Sequence, residues 1–335
     1  MGPRAEKRGG TAVSLVFLFL LAAAIVISLS LGRYPIPVQA LLDRVFQGSF
    51  ESPGMEAIFF NVRLPRILLA CLVGTALAAA GASYQGVFQN PLATPDILGA
   101  SSGAATGATL AILLRLPQPL VMLFAFCMSL GTIALVMLIG ERARAKRIVG
   151  IILAGLMISS LHSAASSWMK LLADPNNVLP EIVYWLMGSL NKARPLDVLF
   201  VLGPMLIGLL PLYIFRWRIN LLTLHDEEAQ SMGVNVRRTR WLIICCATLI
   251  TAAAVSVSGV IGWAGLIVPH ITRRFTGNNY RDLMPVSMLF GALFLLVIDN
   301  ISRNLFATEV PLGIFTALMG VPFFLWLITR RGDLW

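Results

Sequence analysis

Long apolar runs, broken by short charged or Pro/Gly-rich segments, set the pattern of this chain. A helix crosses the hydrocarbon core of a bilayer with about 20 mostly apolar residues. Such runs lie at Ala12 to Leu31, Leu64 to Phe88, Ile97 to Leu114, Pro119 to Gly140 and Ile148 to Leu171, and then at Leu196 to Phe215, Trp241 to Ser258, Val260 to His270, Leu283 to Asn304 and Leu312 to Ile328. The longest polar stretches, Arg33 to Arg63 and Asp174 to Leu196, hold too few apolar residues to fold as a soluble domain. The pattern predicts a single all-α membrane domain over residues 1–335 with about ten transmembrane helices.

Composition agrees: 57% of residues are hydrophobic and 13% charged, with a mean hydropathy of +0.81. These values lie far from the balance of a soluble domain. Arg4, Lys7 and Arg8 precede the first run as the basic region of a secretory signal would. The run exceeds the roughly 7 to 15 apolar residues of a signal, which favours an uncleaved first helix.

Lys and Arg accumulate in cytoplasmic loops, and an even number of spans puts both termini on one side. Placing them in the cytoplasm gathers Arg4, Lys7, Arg8, Arg142, Arg144, Lys146, Arg147, Arg216, Arg218, Arg237, Arg238, Arg240, Arg273, Arg274, Arg281, Arg330 and Arg331 there, most of the 26 Lys and Arg. The net charge of +10 then reflects topology and does not imply nucleic acid as a partner. The expected location is the inner membrane.

Catalytic and metal chemistry find little support. Cys71, Cys127, Cys245 and Cys246 fall inside apolar runs without ligand spacing and read as packing residues. His162, His225 and His270 share no metal motif, so no cofactor is expected in this chain. The phosphate-cradling G-x-x-x-x-G-K-[ST] loop is absent, which places any ATP and Mg in a partner subunit. A proton-coupled transporter needs an intramembrane ionisable group, and Asp299 is a thin supply. An intramembrane enzyme would rest on His162 with Asp299, a loose pairing.

Several segments carry more information. Asn90-Pro91 and Pro95 interrupt an apolar hairpin, and broken backbone within a membrane lines a cavity or is buried in protein, unless this is an ordinary Pro-punctuated turn. Gly259, Gly262 and Gly265, followed by Pro269, describe a short half-helix at Val260 to His270, where glycine serves close packing or mobility. Between two spans, Thr223-Leu224-His225-Asp226 fits a capping box, Asp226, Glu227 and Glu228 suit a helix N-terminus, and Gly233 suits its end. A short amphipathic helix within Leu221 to Gly233 is predicted; a solvated connector is the plainer alternative. Arg63 and Arg66 begin the second span and Arg303 ends the ninth, three cations expected to face the outside or to snorkel to headgroups.

The motif blocks Arg63-Leu64-Pro65-Arg66 with Gly74 and Gly81, Gln89-Asn90-Pro91-Leu92-Ala93-Thr94-Pro95 with Gly99, Tyr184 to Leu190, Ser258 to His270, and Asp299, Arg303, Pro311-Leu312-Gly313 and Gly320-Val321-Pro322 occur in order along nearly the whole chain. With them the chain resembles the FecCD-type permeases of ATP-binding cassette (ABC) importers for iron-siderophores, haem and cobalamin.

The resemblance implies a second copy of the chain or a close paralogue, two ABC ATPase subunits that bind ATP and Mg, and a periplasmic or lipid-anchored substrate-binding protein. It implies that Asn90 and Leu92 help close the cytoplasmic end of the path. The corresponding constriction at the start of the fifth span falls on Ile148 and Val149, apolar where relatives can carry small polar residues; a dewetting constriction and plain packing both fit. Thr223, Leu224, Asp226, Glu227, Glu228 and Gly233 become the segment that couples to the ATPase, and Arg63, Arg66 and Arg303 the cations that dock acidic residues of the binding protein. Iron-siderophore is the first substrate expected, then haem or cobalamin; an oxyanion such as molybdate fits the same architecture.

Overall fold

The computed structural model describes residues 9–329 except 33, 49, 51, 143–146, 225 and 306–307. Expectations placed on Arg4, Lys7, Arg8, Arg144, Lys146, His225, Arg330 and Arg331, and on the side chains of Arg147 and Ile148, lie outside the described residues.

The chain runs through α1 (Gly10–Ser30), α2 (Val38–Gln47), α3 (Pro53–Ile58), a π turn (Phe59–Arg63), α4 (Leu64–Val87), a 3-10 turn (Pro95–Leu98), α5 (Ala100–Leu113), α6 (Gln118–Arg142), α7 (Arg147–Leu172), α8 (Val178–Leu186), α9 (Pro195–Ile214), α10 (Arg216–Leu222), α11 (Asp226–Ser231), α12 (Val236–Ser258), α13 (Ala264–Thr276), α14 (Tyr280–Asn304) and α15 (Leu312–Thr329). It is an all-α membrane protein. Among the described residues seven helices are long and apolar enough to cross a bilayer, and α5 and α15 are shorter apolar helices. Every run read from the sequence has its helix.

Helix α4 is the axis of the bundle. It is buried over most of its length, with α12, α13 and α14 around it and α1 on the outside of α14. Its Ala- and Gly-rich sequence, from Ala76 to Gly81, is what lets backbones approach. A Cβ on Gly81 would meet the carbonyl of Gly265 in α13. A Cβ on Gly74 would meet that of Gly291 in α14. Helix α1 is the opposite case, apolar on all sides and largely exposed, as a peripheral lipid-facing helix should be.

One expectation needs correction. The half-helix is α13, which begins at Ala264 and continues to Thr276; Val260 to Trp263 is non-helical, because Gly259 and Trp263 adopt positive φ (67° and 66°) that end one helix and redirect the chain into the next. The polar stretches between the runs carry short helices. Ser52 accepts from Met55 N–H with Pro53 in the first turn to start α3, and Ile36, Ala40, Phe50 and Met55 form a small core of their own. Helix α8 buries Val178 and Ile182 against α5.

Candidate functional site: the two ends of the bundle

At the end of the bundle where α1 stops and α4 begins, the three arginines singled out in the sequence come together. They do not stand free. Arg63, Arg66 and Arg303 are 4%, 6% and 7% exposed. Arg63 donates to the carbonyls of Leu29 (2.5 Å), Ser30 (3.3 Å) and Tyr34 (2.5 Å). Arg303 donates to the Ser28 carbonyl (3.0 Å) and hydroxyl (2.7 Å) and to Asn300 Oδ1 (2.5 Å). The last turn of a helix leaves its carbonyls without partners and carries partial negative charge. Two guanidiniums therefore cap the end of α1, and the expectation of three outward-facing cations is corrected on this point.

Arg66 answers a different need. Its Nε lies 2.9 and 3.1 Å from the two oxygens of Asp299, and Nη2 lies 2.9 Å from Oδ1. Asp299 is fully buried, so this pair removes the cost of an isolated charge in the bundle. Nη1 reaches Glu309 at 3.1 and 3.0 Å, and Arg303 Nε stands 3.9 Å from Asp299. Asp299 is thus the counterion of an arginine. His162 bonds Thr132 (2.8 Å) and Thr106 (3.0 Å) through its two ring nitrogens, joining α5, α6 and α7. The structure leaves His162 and Asp299 committed to different partners, against any catalytic pairing.

Three sequence blocks distant from one another meet at this same end. Leu312 and Gly313 N–H donate to the carbonyls of Gly188 (2.8 Å) and Met187 (3.1 Å), and Ser189 N–H donates to Ser258 (2.7 Å). Gly188 and Gly259 both take positive φ there, where a Cβ would strike Val260 and Trp185 carbonyls respectively. Beside this junction a cavity of about 350 Å³, lined by Tyr184, Trp185, Ser189, Asn191 and Ser258 among others, adjoins one of about 460 Å³. The Glu181–Lys192 pair (2.9 Å) borders both.

The opposite end carries the broken loop after α4 and the α10–α11 segment. Asn90 Oδ1 accepts from Leu92 N–H (2.9 Å), which stiffens the loop as a short turn. Leu92 and Val149 expose 45% and 47% of their surface. Helix α7 comes close to the adjoining 3-10 turn, since a Cβ on Gly155 would meet the carbonyl of Ile97.

The predicted segment Leu221 to Gly233 folds as the end of α10 followed by α11. Thr223 does not start α11 as a capping box would. It closes α10, its hydroxyl donating to the Asn220 carbonyl at 2.7 Å, because its backbone is already helical. Asp226, in the first turn of α11, pairs with the buried Arg240 of α12 at 2.9 Å. Glu227 and Glu228 are exposed. Gly233 takes a φ of 79° and ends the segment as expected. Leu224 is partly buried.

Sequence reasoning missed one residue here. Gln89 has a φ of 50°, and its Nε2 donates to the carbonyls of Leu222 and Leu224 at 2.9 Å each. The loop and the α10–α11 segment are one connected unit. Its only sequence signal was a place beside Asn90-Pro91, where a polar side chain at a helix end has many other uses.

Comparison with known proteins matches the chain to the FecCD transport family over residues 20–330. The molybdate import system permease protein of Haemophilus influenzae is 39% identical over 308 residues, 91% of each chain. The hemin transport system permease protein of Yersinia pestis is 38% identical over 330 residues, 95% of this chain and 96% of its own. A solved structure of an ABC transporter in an inward-facing conformation superposes with a TM-score of 0.87 at 38% identity, covering 96% of this chain and all of the other.

Proposed function

We propose a cargo and a set of working parts for this chain, which belongs to the FecCD transport family. As such it is the transmembrane permease subunit of an ABC importer and not an enzyme. Its cargo is a preassembled metal chelate: an iron-siderophore first, with haem and cobalamin in the same class.

One observation carries this reading. The exposed side of α7 has no charged residue from Val149 to Met169; among exposed apolar side chains such as Leu156, Met157, Leu161 and Trp168 it presents Ser160, Ser163 and Ser167 at helical spacing. An exposed hydroxyl row on a spanning helix suits a water-lined path. Such a wall offers weak hydrogen bonds and no ligand set that would strip a metal from its chelator, which fits a large complex moved whole. An oxyanion such as molybdate is the second reading, favoured by the molybdate permease relative; a smooth wall suits it as well.

Two copies of the chain, facing each other across α7 and α15, form the path. Two ATPase subunits binding ATP and Mg sit below, and a periplasmic binding protein above. The end with α10 and α11 is cytoplasmic, as are both termini. Helix α11, with Glu227 and Glu228 outward, contacts the ATPase; Gln89 conveys its movement to a gate made by Asn90, Leu92, Ile148 and Val149. Nucleotide and binding protein shift the conformational balance by their differential affinity for its two states. At the outer end the binding protein approaches the cluster of Arg63, Arg66 and Arg303, of which Arg66, on its side towards the part-exposed Glu309, meets its carboxylates.

The test is uptake. The chain is reconstituted in liposomes with its ATPase and the binding protein encoded alongside it, and radiolabelled ferric siderophore, haem, cobalamin and molybdate are offered in turn. ATP-dependent accumulation of a chelate and not of molybdate supports the first reading. The reverse establishes the second.

A further inference from the structure

Arg66 presents two edges with different roles. Nε and Nη2 face Asp299, which is fully buried on α14. Nη1 faces Glu309, on the α14–α15 connection, whose side chain is 25% exposed where that of Arg66 is 8%. Asp299 stays on Arg66 when the outer carboxylate leaves, and an incoming carboxylate restores the charge that Glu309 had supplied to the cluster. The surroundings also favour an incoming acid: among the described residues, Arg63, Arg66 and Arg303 stand against two carboxylates, Asp299 and Glu309.

We propose that Glu309 is a built-in stand-in for a docking carboxylate: when the binding protein arrives, one of its acidic side chains replaces Glu309 on Arg66 Nη1, and the α14–α15 connection is released. The inference rests on the proposed docking of the binding protein at this arginine cluster.

Release of Glu309 acts through the residues next to it in the chain. The carbonyl of Val310 accepts from Ser302 Oγ at 2.5 Å. After Pro311, the N–H groups of Leu312 and Gly313 are bound to Gly188 and Met187 at the end of α8. Residues held so closely have little slack. Displacing Glu309 therefore shifts the first turn of α15 or breaks its bonds to α8, and docking at the surface becomes a movement at the junction where α8, α15 and the Gly259 turn meet. Exchange of one carboxylate for another costs little at the arginine, so the docking energy remains available for that movement.

Glu309→Gln keeps the size and one acceptor but removes the charge. In the complete transporter, held in lipid nanodiscs, this variant is expected to bind the binding protein about three- to tenfold more tightly than wild type, since a partly screened competing ion pair has been removed. Its ATP hydrolysis without binding protein should rise, because the connection is already loosened. The neutral pair Arg66→Gln with Asp299→Asn serves as the reference and should weaken docking. Docking that weakens in the reference pair but is unchanged in Glu309→Gln, with or without a lower melting temperature, overturns the exchange and leaves the docking reading standing. Docking indifferent to both sets overturns both.

Discussion

Gln89 holds Leu222: the side-chain Nε2 donates to the Leu222 carbonyl at 2.9 Å, and the same nitrogen reaches Leu224 at 2.9 Å. One side chain thus joins the broken loop after α4 to the segment between α10 and α11, and the loop cannot move far without it. Leucine at position 89 has nearly the same bulk and no donor. The Gln89→Leu variant is expected to retain ATP hydrolysis while uptake per ATP falls by about tenfold, roughly the worth of one or two hydrogen bonds. Parallel measurement of hydrolysis and uptake in proteoliposomes checks this; unchanged coupling would make the contact incidental.

The ion pair of Arg66 and Asp299 should show the asymmetry of buried charges. Asp299→Ala leaves an arginine with only the part-exposed Glu309 and is expected to destabilise the chain by about 3 to 5 kcal/mol. Arg66→Met combined with Asp299→Leu removes both charges and should recover most of that loss. Denaturation midpoints of the three proteins in one detergent decide it.

Glu227 and Glu228 are exposed and Asp226 is paired with Arg240, so their substitutions should separate. Glu227→Lys with Glu228→Lys leaves the fold intact and is expected to abolish the stimulation of ATPase activity by the permease. Asp226→Asn instead frees the first turn of α11 and lowers thermal stability first. If the double Lys variant transports at full coupling, α11 is not the ATPase contact.

Close helix packing gives a steric prediction. A Cβ on Gly81 would lie within the radius of the Gly265 carbonyl, while Gly262 has open space around its Cβ position and no positive φ. Gly81→Ala should lower stability by about 1 to 3 kcal/mol as α4 and α13 are forced apart. Gly262→Ala should be near neutral. Thermal unfolding monitored by tryptophan fluorescence, with uptake measured beside it, distinguishes the two.

The sequence by itself determined the class and the element order. Apolar runs of spanning length have one outcome in a bilayer, because backbone groups in lipid must be satisfied within the segment, and α1, α4, α5, α6, α7, α9, α12, α14 and α15 follow those runs, whereas α2, α3 and α8 form in the stretches between them. Glycine at position 233 and the acidic start of α11 were legible for the same reason: caps are local. The structure alone decided what the arginines do. Arg63, Arg66 and Arg303 look alike in sequence as cations at helix ends, yet two of them cap the carbonyls of α1 and the third neutralises Asp299, 233 positions away. Likewise Thr223 fits a capping box in sequence but closes α10 instead, and Gln89 carried no signal of its reach to Leu222. Periodicity and capping are properties of neighbouring residues, whereas the partner of a buried polar group is fixed only when helices distant in sequence come into contact and leave it nowhere else to bond.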